Sequence, residues 1–105
     1  MQVILVLTNF PDHSGAKALA EKLLNDRLAA CVNVLPECTS FYRWQGQIET
    51  AGEIPLLIKT AARHYEAVEQ AIKSLHPYEL PEILAVPIGN GLPAYLQWVI
   101  DETNV

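Results

Sequence analysis

The order of hydrophobic and polar residues divides the chain into short segments typical of strands and helices. Residues 3–7 are a continuous aliphatic run that ends in the turn-forming residues 8–12, which predicts a buried strand. Apolar residues then recur three or four positions apart between residues 16 and 28. That spacing predicts an amphipathic helix, with Asp12 or Ser14 as its N-terminal cap.

The middle of the chain predicts a hairpin followed by a third strand. Residues 29–35 form a second strand, and after Pro36 the alternating residues 41–44 lead into a turn at Gly46. Glycine accepts the positive φ that such turns demand. The third strand covers residues 54–60 and holds Pro55 near its start, where the missing N–H indicates an edge, a bulge or the beginning of pairing.

The last third of the chain predicts a helix, a strand and a final helix. The second helix carries its apolar stripe on Tyr65, Val68, Ile72 and Leu75, and Pro77 ends it because proline disfavours helical geometry at the preceding residue. Residues 83–88 predict a fourth strand. A final helix begins near Pro93, and its predicted apolar stripe is Leu92, Tyr95, Leu96 and Val99. Trp98 does not belong to this stripe.

This order of elements is strand-helix-strand used twice, with a helix appended. It predicts a single α+β domain over residues 1–105 of the ferredoxin-like type: an antiparallel sheet, two helices covering one face, an extra C-terminal helix and a long hairpin between the second and third strands. Alternating strand directions then bring residues 8–13 close to residues 76–82 at one end of the sheet.

Charge and composition narrow the classes of partner. The net charge is −5 and the pI is near 5.0, so the long-range field repels phosphate backbones and nucleic acid is not an expected partner. The apolar run at residues 3–7 is far shorter than a membrane crossing requires, so we expect no membrane segment. Cys31 and Cys38 lie seven positions apart and suggest no disulfide framework, which predicts a reducing cytoplasm.

The candidate catalytic chemistries on this fold find no matching residues. The first strand-to-helix loop holds neither a cysteine pair for a soft metal nor a basic side chain for a phosphate. Ser14, Ser40 and Ser74 lack a base and an orienting group in any recognisable arrangement. We therefore expect a binding or assembly protein and not an enzyme.

The segment 76–82 concentrates the remaining polar chemistry. It combines His76, Tyr78, Glu79 and Glu82 on a loop stiffened by two prolines, and this set could hold a divalent cation. The alternative is that His76 caps helix carbonyls and that the glutamates pair with lysine or arginine. His64 is predicted to be solvated on the outer face of a helix.

Two further sets of residues suggest contacts. Tyr42 and Trp44 near the hairpin tip would be exposed apolar area on a monomer, so they predict a covering subunit. Lys59 follows an aliphatic strand segment, so its ammonium must reach solvent at the strand end or pair with a carboxylate, such as that of Glu53 or a neighbour's, and a structural ion pair is predicted.

Several separated motifs resemble the CutA divalent-cation tolerance proteins. They are Leu-Ala-Ala-Cys-Val-Asn at 28–33, Tyr-Arg-Trp-Gln-Gly at 42–46, Leu-Ile-Lys-Thr at 57–60 and His-Pro-Tyr-Glu-Leu-Pro-Glu-Ile at 76–83, and Tyr95 and Trp98 fit as well. The resemblance covers nearly the whole chain. It implies a ferredoxin-like subunit in a tight homotrimer, with long hairpins reaching across neighbours, in the cytoplasm and linked to tolerance of copper or other divalent metals.

The resemblance also implies a metal site, from which this chain departs. Some members are assigned a copper site of one cysteine at the end of the first strand and two histidines before the Pro-Tyr pair. Here those positions hold Thr8 and the pair Leu75-His76. The resemblance therefore implies at most a weak copper or zinc site on His76, with Glu79 and Glu82 as further ligands.

The architecture also looks like that of the PII signalling proteins, which bind nucleotides and small effectors in clefts between subunits. This similarity implies an alternative role as a small-molecule sensor. The residues assigned to such an intersubunit cleft are Tyr42, Trp44, Lys59, Tyr78, Glu82 and Trp98.

Overall fold

The computed structural model describes residues 2–104. Its elements in chain order are β1 (Val3–Phe10), α1 (His13–Asn25), β2 (Cys31–Val34), β3 (Cys38–Trp44), β4 (Gln47–Ala61), a 3₁₀ turn (Ala62–His64), α2 (Tyr65–Leu75), β5 (Ile83–Pro87) and α3 (Pro93–Glu102).

One antiparallel sheet organises these elements. Its strand order is β2-β4-β1-β5, and β3 pairs with the first half of β4 beyond the end of β2. The predicted mixed α+β fold with an antiparallel sheet and a C-terminal helix is confirmed. The second predicted strand, residues 29–35, contains β2, and the predicted hairpin segment 41–44 is the end of β3, which begins at Cys38 after an interruption at residues 35–37.

The interruption explains how Pro55 fits inside the long strand β4. The Leu35 N–H donates to the Pro55 carbonyl at 2.9 Å, so that side of Pro55 faces the gap between β2 and β3. The missing N–H of Pro55 therefore lies where no regular pairing occurs, as expected at a bulge. The predicted strand over residues 54–60 is too short, because β4 begins at Gln47 and forms one arm of the hairpin.

The hairpin turn itself follows the prediction. Trp44 pairs with Gln47, which leaves Gln45 and Gly46 as a two-residue turn with φ of 48° and 79°. Positive φ at both central positions is what a type I′ turn requires.

Helices α1 and α2 cover one face of the sheet and form the main core with it. Alternate residues of β1 and β4 point towards the helices and pack with Leu19 and Leu23 of α1 and Val68 and Ile72 of α2; the strand residues are Ile4, Val6, Phe10, Ile54, Leu56 and Ile58. Asp12 caps α1 by accepting the Gly15 N–H at 2.7 Å. Leu24 and Leu75, which the spacing places in the apolar stripes, are instead exposed at the helix ends.

Helix α3 packs on the opposite face, at the end of the sheet away from the hairpin. Val99 and Ile100 bury against Val3 and Ala61. The predicted stripe is correct for Leu96 and Val99 but wrong for Leu92 and Tyr95, which are exposed. The helix packs on the sheet through Leu96, Val99 and Ile100, and Leu92 and Tyr95 at its start stay exposed.

The prediction for His64 is also wrong. Its ring is buried, and Nε2 lies 2.6 Å from the Thr103 carbonyl oxygen. The segment after α3 returns over this turn, a tertiary contact that helical spacing cannot reveal. Across residues 2–104, each helix lacks either the length or the apolar character needed to cross a bilayer.

Candidate functional site

A cleft of about 990 Å³ opens at the hairpin end of the sheet. Its walls are the β3–β4 hairpin on one side and residues 77–84 on the other. The predicted approach of residues 8–13 to residues 76–82 is confirmed by contacts from Asn9 and Phe10 to that segment. Antiparallel pairing of β1 with β4 and β5 brings these loops to one edge.

His76 fastens the base of this segment to β1. The ring is 8% exposed, and its Nε2 lies 2.5 Å from the Asn9 carbonyl oxygen. The Tyr78 N–H donates to the other nitrogen, Nδ1, at 3.1 Å. A carbonyl only accepts and a backbone N–H only donates, so the arrangement requires the neutral ring with its proton on Nε2.

Aromatic packing holds the same residue from both sides. The ring of His76 lies 4.4 Å from the Phe10 ring and 4.7 Å from the Tyr78 ring, measured between centroids. The backbone N–H of His76 donates to the Ile72 carbonyl and ends α2. The predicted cap is thus made by the backbone, while the side chain bonds to the strand.

This geometry does not fit a metal site centred on His76. Nε2 carries the proton that faces the Asn9 carbonyl, and the lone pair of Nδ1 accepts the Tyr78 N–H, so neither ring nitrogen is free for an ion. Thr8 is buried with a hydroxyl that has no hydrogen-bond partner, and Leu75 is an exposed aliphatic side chain. Within residues 2–104, no three histidine, cysteine, aspartate or glutamate side chains come together in a group able to hold a metal ion.

The glutamates of this segment lie at the rim of the cleft. Glu79 and Glu82 are both exposed, and Asn9 Nδ2 donates to Glu82 Oε1 at 3.4 Å. The predicted pairing of these glutamates with lysine or arginine is not found, since the ion pair in the described part of the chain joins Lys22 and Asp26.

Glu53 is a buried carboxylate in the wall of the cleft. It is 8% exposed and lies near Tyr78. Burial raises the pKa of Tyr78 above its ordinary 10.0, and the nearby carboxylate of Glu53 acts in the same direction. Among residues 2–104, no lysine, arginine or histidine nitrogen lies within 4.0 Å of the Glu53 carboxylate.

Sequence reasoning named Glu53 only as a partner for Lys59, although the hairpin register could have placed it. The two-residue turn at Gln45-Gly46 pairs Tyr42 with Glu49 and Cys38 with Glu53. Side chains two apart on a strand share a face, so Glu53 lies on the same side of the hairpin as Tyr42 and Trp44. Those two aromatic side chains are partly exposed and line the cleft.

Lys59 and Trp98 belong to a different part of the molecule. Six residues of extended strand separate Lys59 from Glu53, which corresponds to about 20 Å. The predicted Lys59–Glu53 ion pair is therefore wrong. The Lys59 ammonium instead donates to Asn33 Oδ1 and lies 3.9 Å from Cys31 Sγ, because Cys31 is its direct neighbour across the sheet.

Tyr95 and Trp98 extend this second cluster. Their ring centroids are 5.5 Å apart, and both side chains are exposed on α3. Burial raises the pKa of Tyr95, and its hydrogen bond and proximity to Cys31 add to the rise. Of the six residues assigned to a shared cleft, Tyr42, Trp44, Tyr78 and Glu82 thus come together within one chain, while Lys59 and Trp98 do not.

Comparison with known proteins gives consistent matches over most of the chain. A family model described as CutA1 divalent ion tolerance protein matches residues 4–102. The divalent-cation tolerance protein CutA of Thermus thermophilus is 42% identical over 100 residues, which cover 95% of this chain and 97% of that protein.

Solved structures agree with the sequence match. CutA from Xylella fastidiosa aligns with a TM-score of 0.95 at 47% identity and covers 99% of this chain and 100% of that one. CutA from Archaeoglobus fulgidus, described as a periplasmic divalent cation tolerance protein, aligns with a TM-score of 0.91 at 37% identity. The alignment covers 96% of this chain and 97% of that one.

Proposed function

This chain belongs to the CutA1 divalent ion tolerance family, as its motifs predict, and on that premise we propose that it acts as a homotrimer without catalytic activity in the response to copper and other divalent metal ions. Its role depends on surfaces shared between subunits, through protein contacts or weak ligand binding.

The observation that carries this proposal is the amount of apolar surface left uncovered. Strand pairing places five aliphatic side chains on the face opposite α1 and α2, and they lie beyond the area that α3 covers; they are Leu5, Leu7, Leu57, Leu84 and Val86. Leu84 is 54% exposed, and on the hairpin Phe41 and Ile48 are 73% and 71% exposed. Contiguous apolar surface of this kind is typical of an interface.

The uncovered surface consists of two different parts, the open sheet face and the hairpin arm. A two-fold dimer uses one patch against itself, whereas two different patches suit a head-to-tail ring. Both outer strands, β2 and β5, also have a free edge in the single chain. These features support a cyclic assembly, and the number of three comes from the family resemblance.

A matched pair of variants tests the assembly. Leu84→Lys places a charge on the open sheet face, and Leu24→Lys makes the same change on α1 at a side chain that is 44% exposed. We expect light scattering to find dissociated subunits for Leu84→Lys and an unchanged assembly for Leu24→Lys. If both variants have the same mass, the open sheet face is not part of the interface.

The metal-linked part of the proposal does not depend on His76. Any divalent cation is held weakly by the exposed carboxylates of Glu79 and Glu82, which are oxygen ligands suited to hard or borderline ions. Titration of Cu(II) and Zn(II) should give similar affinities for the wild type and His76→Gln. The double variant Glu79→Gln/Glu82→Gln should lose binding. A loss of metal binding in His76→Gln alone would show that His76 is a metal ligand.

A second candidate function is a PII-like sensor of small molecules. The observation that favours it is the cleft of about 990 Å³, which is as large as typical ligand pockets and contains aromatic and charged side chains. A thermal-shift screen of nucleotides and metabolites tests it, because a bound ligand raises the unfolding temperature by mass action. If no compound in a broad panel raises the unfolding temperature, that result counts against this candidate.

The cytoplasmic location stays a prediction, and a fractionation of expressing cells tests it.

A further inference from the structure

The loop between β5 and α3 contains an asparagine followed by a glycine. Residues 88–92 belong to no helix or strand, and Asn90 and Gly91 are both exposed. Among residues 2–104, the Gly91 N–H donates to no backbone carbonyl. Neither secondary structure nor burial therefore holds the Asn90 side chain and the Gly91 nitrogen in place.

This loop is separate from the surfaces on which the proposed assembly depends. Pro87 at the end of β5 pairs with Ile4 at the start of β1, so the loop follows at the end of the sheet away from the hairpin. Asn90 and Gly91 belong neither to the open sheet face nor to the hairpin arm.

An asparagine before a glycine can react with its own main chain. The Gly91 nitrogen loses its proton to a hydroxide ion and attacks Cγ of Asn90, and the Cγ–Nδ2 bond breaks as ammonia leaves with a proton from water. Water then opens the resulting succinimide ring, at Cγ to give aspartate or at the main-chain carbonyl carbon to give isoaspartate. In sum, one side-chain amide and one water become one carboxylate and one ammonium ion. Glycine favours ring closure because it has no Cβ to hinder the approach and leaves the main chain free to rotate.

Three other asparagines of the chain are held by regular structure. Asn9 lies in β1, Asn25 in α1 and Asn33 in β2, and each precedes a residue that has a side chain. The side chain of Asn9 also donates to Glu82, and that of Asn33 accepts from Lys59. These three residues are therefore internal references for the reactivity of Asn90.

We propose that Asn90 is a site of spontaneous deamidation in the folded protein, which gives the chain a second covalent form with aspartate or isoaspartate at this position. That form carries one more negative charge than the net charge of −5. Isoaspartate also adds a methylene group to the main chain between β5 and α3. The proposal is independent of the proposed function.

Two glycine variants provide a matched test. The full-length protein is incubated at mildly alkaline pH, and peptide mapping by mass spectrometry follows each asparagine. Asn90 should convert several-fold faster than Asn9, Asn25 and Asn33. Gly91→Ala should slow this conversion several-fold, and its added methyl group meets only the Leu96 side chain, at 3.0 Å. Gly89→Ala, where an added Cβ meets no atom within 4 Å, should leave the rate as in the wild type.

A synthetic peptide of residues 87–94 gives the rate of the unrestrained sequence, and the same substitutions in the peptide keep the test valid if a variant fails to fold. The rate in the protein should be within several-fold of the peptide rate. If the peptide converts while Asn90 in the protein reacts no faster than Asn33, the folded loop prevents the reaction and the proposal is wrong. Equal rates for Gly91→Ala and Gly89→Ala would also overturn it, because the Gly91 nitrogen would then not be the attacking group.

Discussion

Removal of the His76 ring should destabilise the protein strongly, because the ring connects β1 to the segment that forms one wall of the cleft. In His76→Ala the Asn9 carbonyl and the Tyr78 N–H lose their partners. Each part-buried group left unpaired costs about 1 kcal/mol. The lost packing against Phe10 and Tyr78 adds about 1 to 2 kcal/mol. The expected decrease in the free energy of unfolding is therefore about 3 to 4 kcal/mol.

His76→Phe separates the two contributions, since it keeps an aromatic ring and removes both hydrogen bonds. It should cost about 2 kcal/mol. His13→Ala, at an exposed position at the start of α1, is the control and should change stability by less than about 0.5 kcal/mol.

Urea unfolding followed by circular dichroism measures these values at one fixed protein concentration, because the stability of an oligomer depends on concentration. A cost below about 1 kcal/mol for His76→Ala would refute the structural role of the ring. If His76→Phe is as stable as the wild type, the packing of the ring and not its hydrogen bonds stabilises the protein.

Three further predictions concern other parts of the chain. Arg27 has φ of 56° after α1, where the Leu28 N–H donates to the Leu23 carbonyl, so Arg27→Gly should raise the unfolding free energy by up to about 1 kcal/mol in urea unfolding. Gly46 has φ of 79°, so Gly46→Ala should lower the free energy of unfolding by about 1 kcal/mol in the same assay. The pKa of Tyr78 is raised in the folded state, so the stability it contributes is present below pH 10.0 and decreases as pH rises through the folded-state pKa. Unfolding of Tyr78→Phe should depend less on alkaline pH than that of the wild type, and an unchanged pH dependence would contradict the role of burial and Glu53.

The element order could be predicted from the sequence because burial leaves a clear pattern. Helix-facing residues of the central strands alternate with others, and the turn at Gly46 fixes the hairpin register. The first half of β4 was missed because residues 47–52 extend beyond the helices and carry no alternation of buried and exposed side chains. A strand that projects from the core has no hydrophobic period to detect.

The site was predictable only as far as topology determines it. The convergence of the end of β1 at Asn9 with the segment that begins at His76 follows from strand direction alone. The state of the His76 ring does not, since it depends on which nitrogen faces the Tyr78 N–H. Lys59 shows the same limit, because its position in the strand was predicted but its partners Asn33 and Cys31 depend on the pairing of β2 with β4.

The central claim is that the function lies in surfaces shared by three subunits. Light scattering coupled to size exclusion, repeated at decreasing protein concentrations, tests it most directly. A homotrimer should give a constant mass of about 35 kDa, three times the 11.7 kDa of one chain. A mass of 11.7 kDa at all concentrations would contradict it.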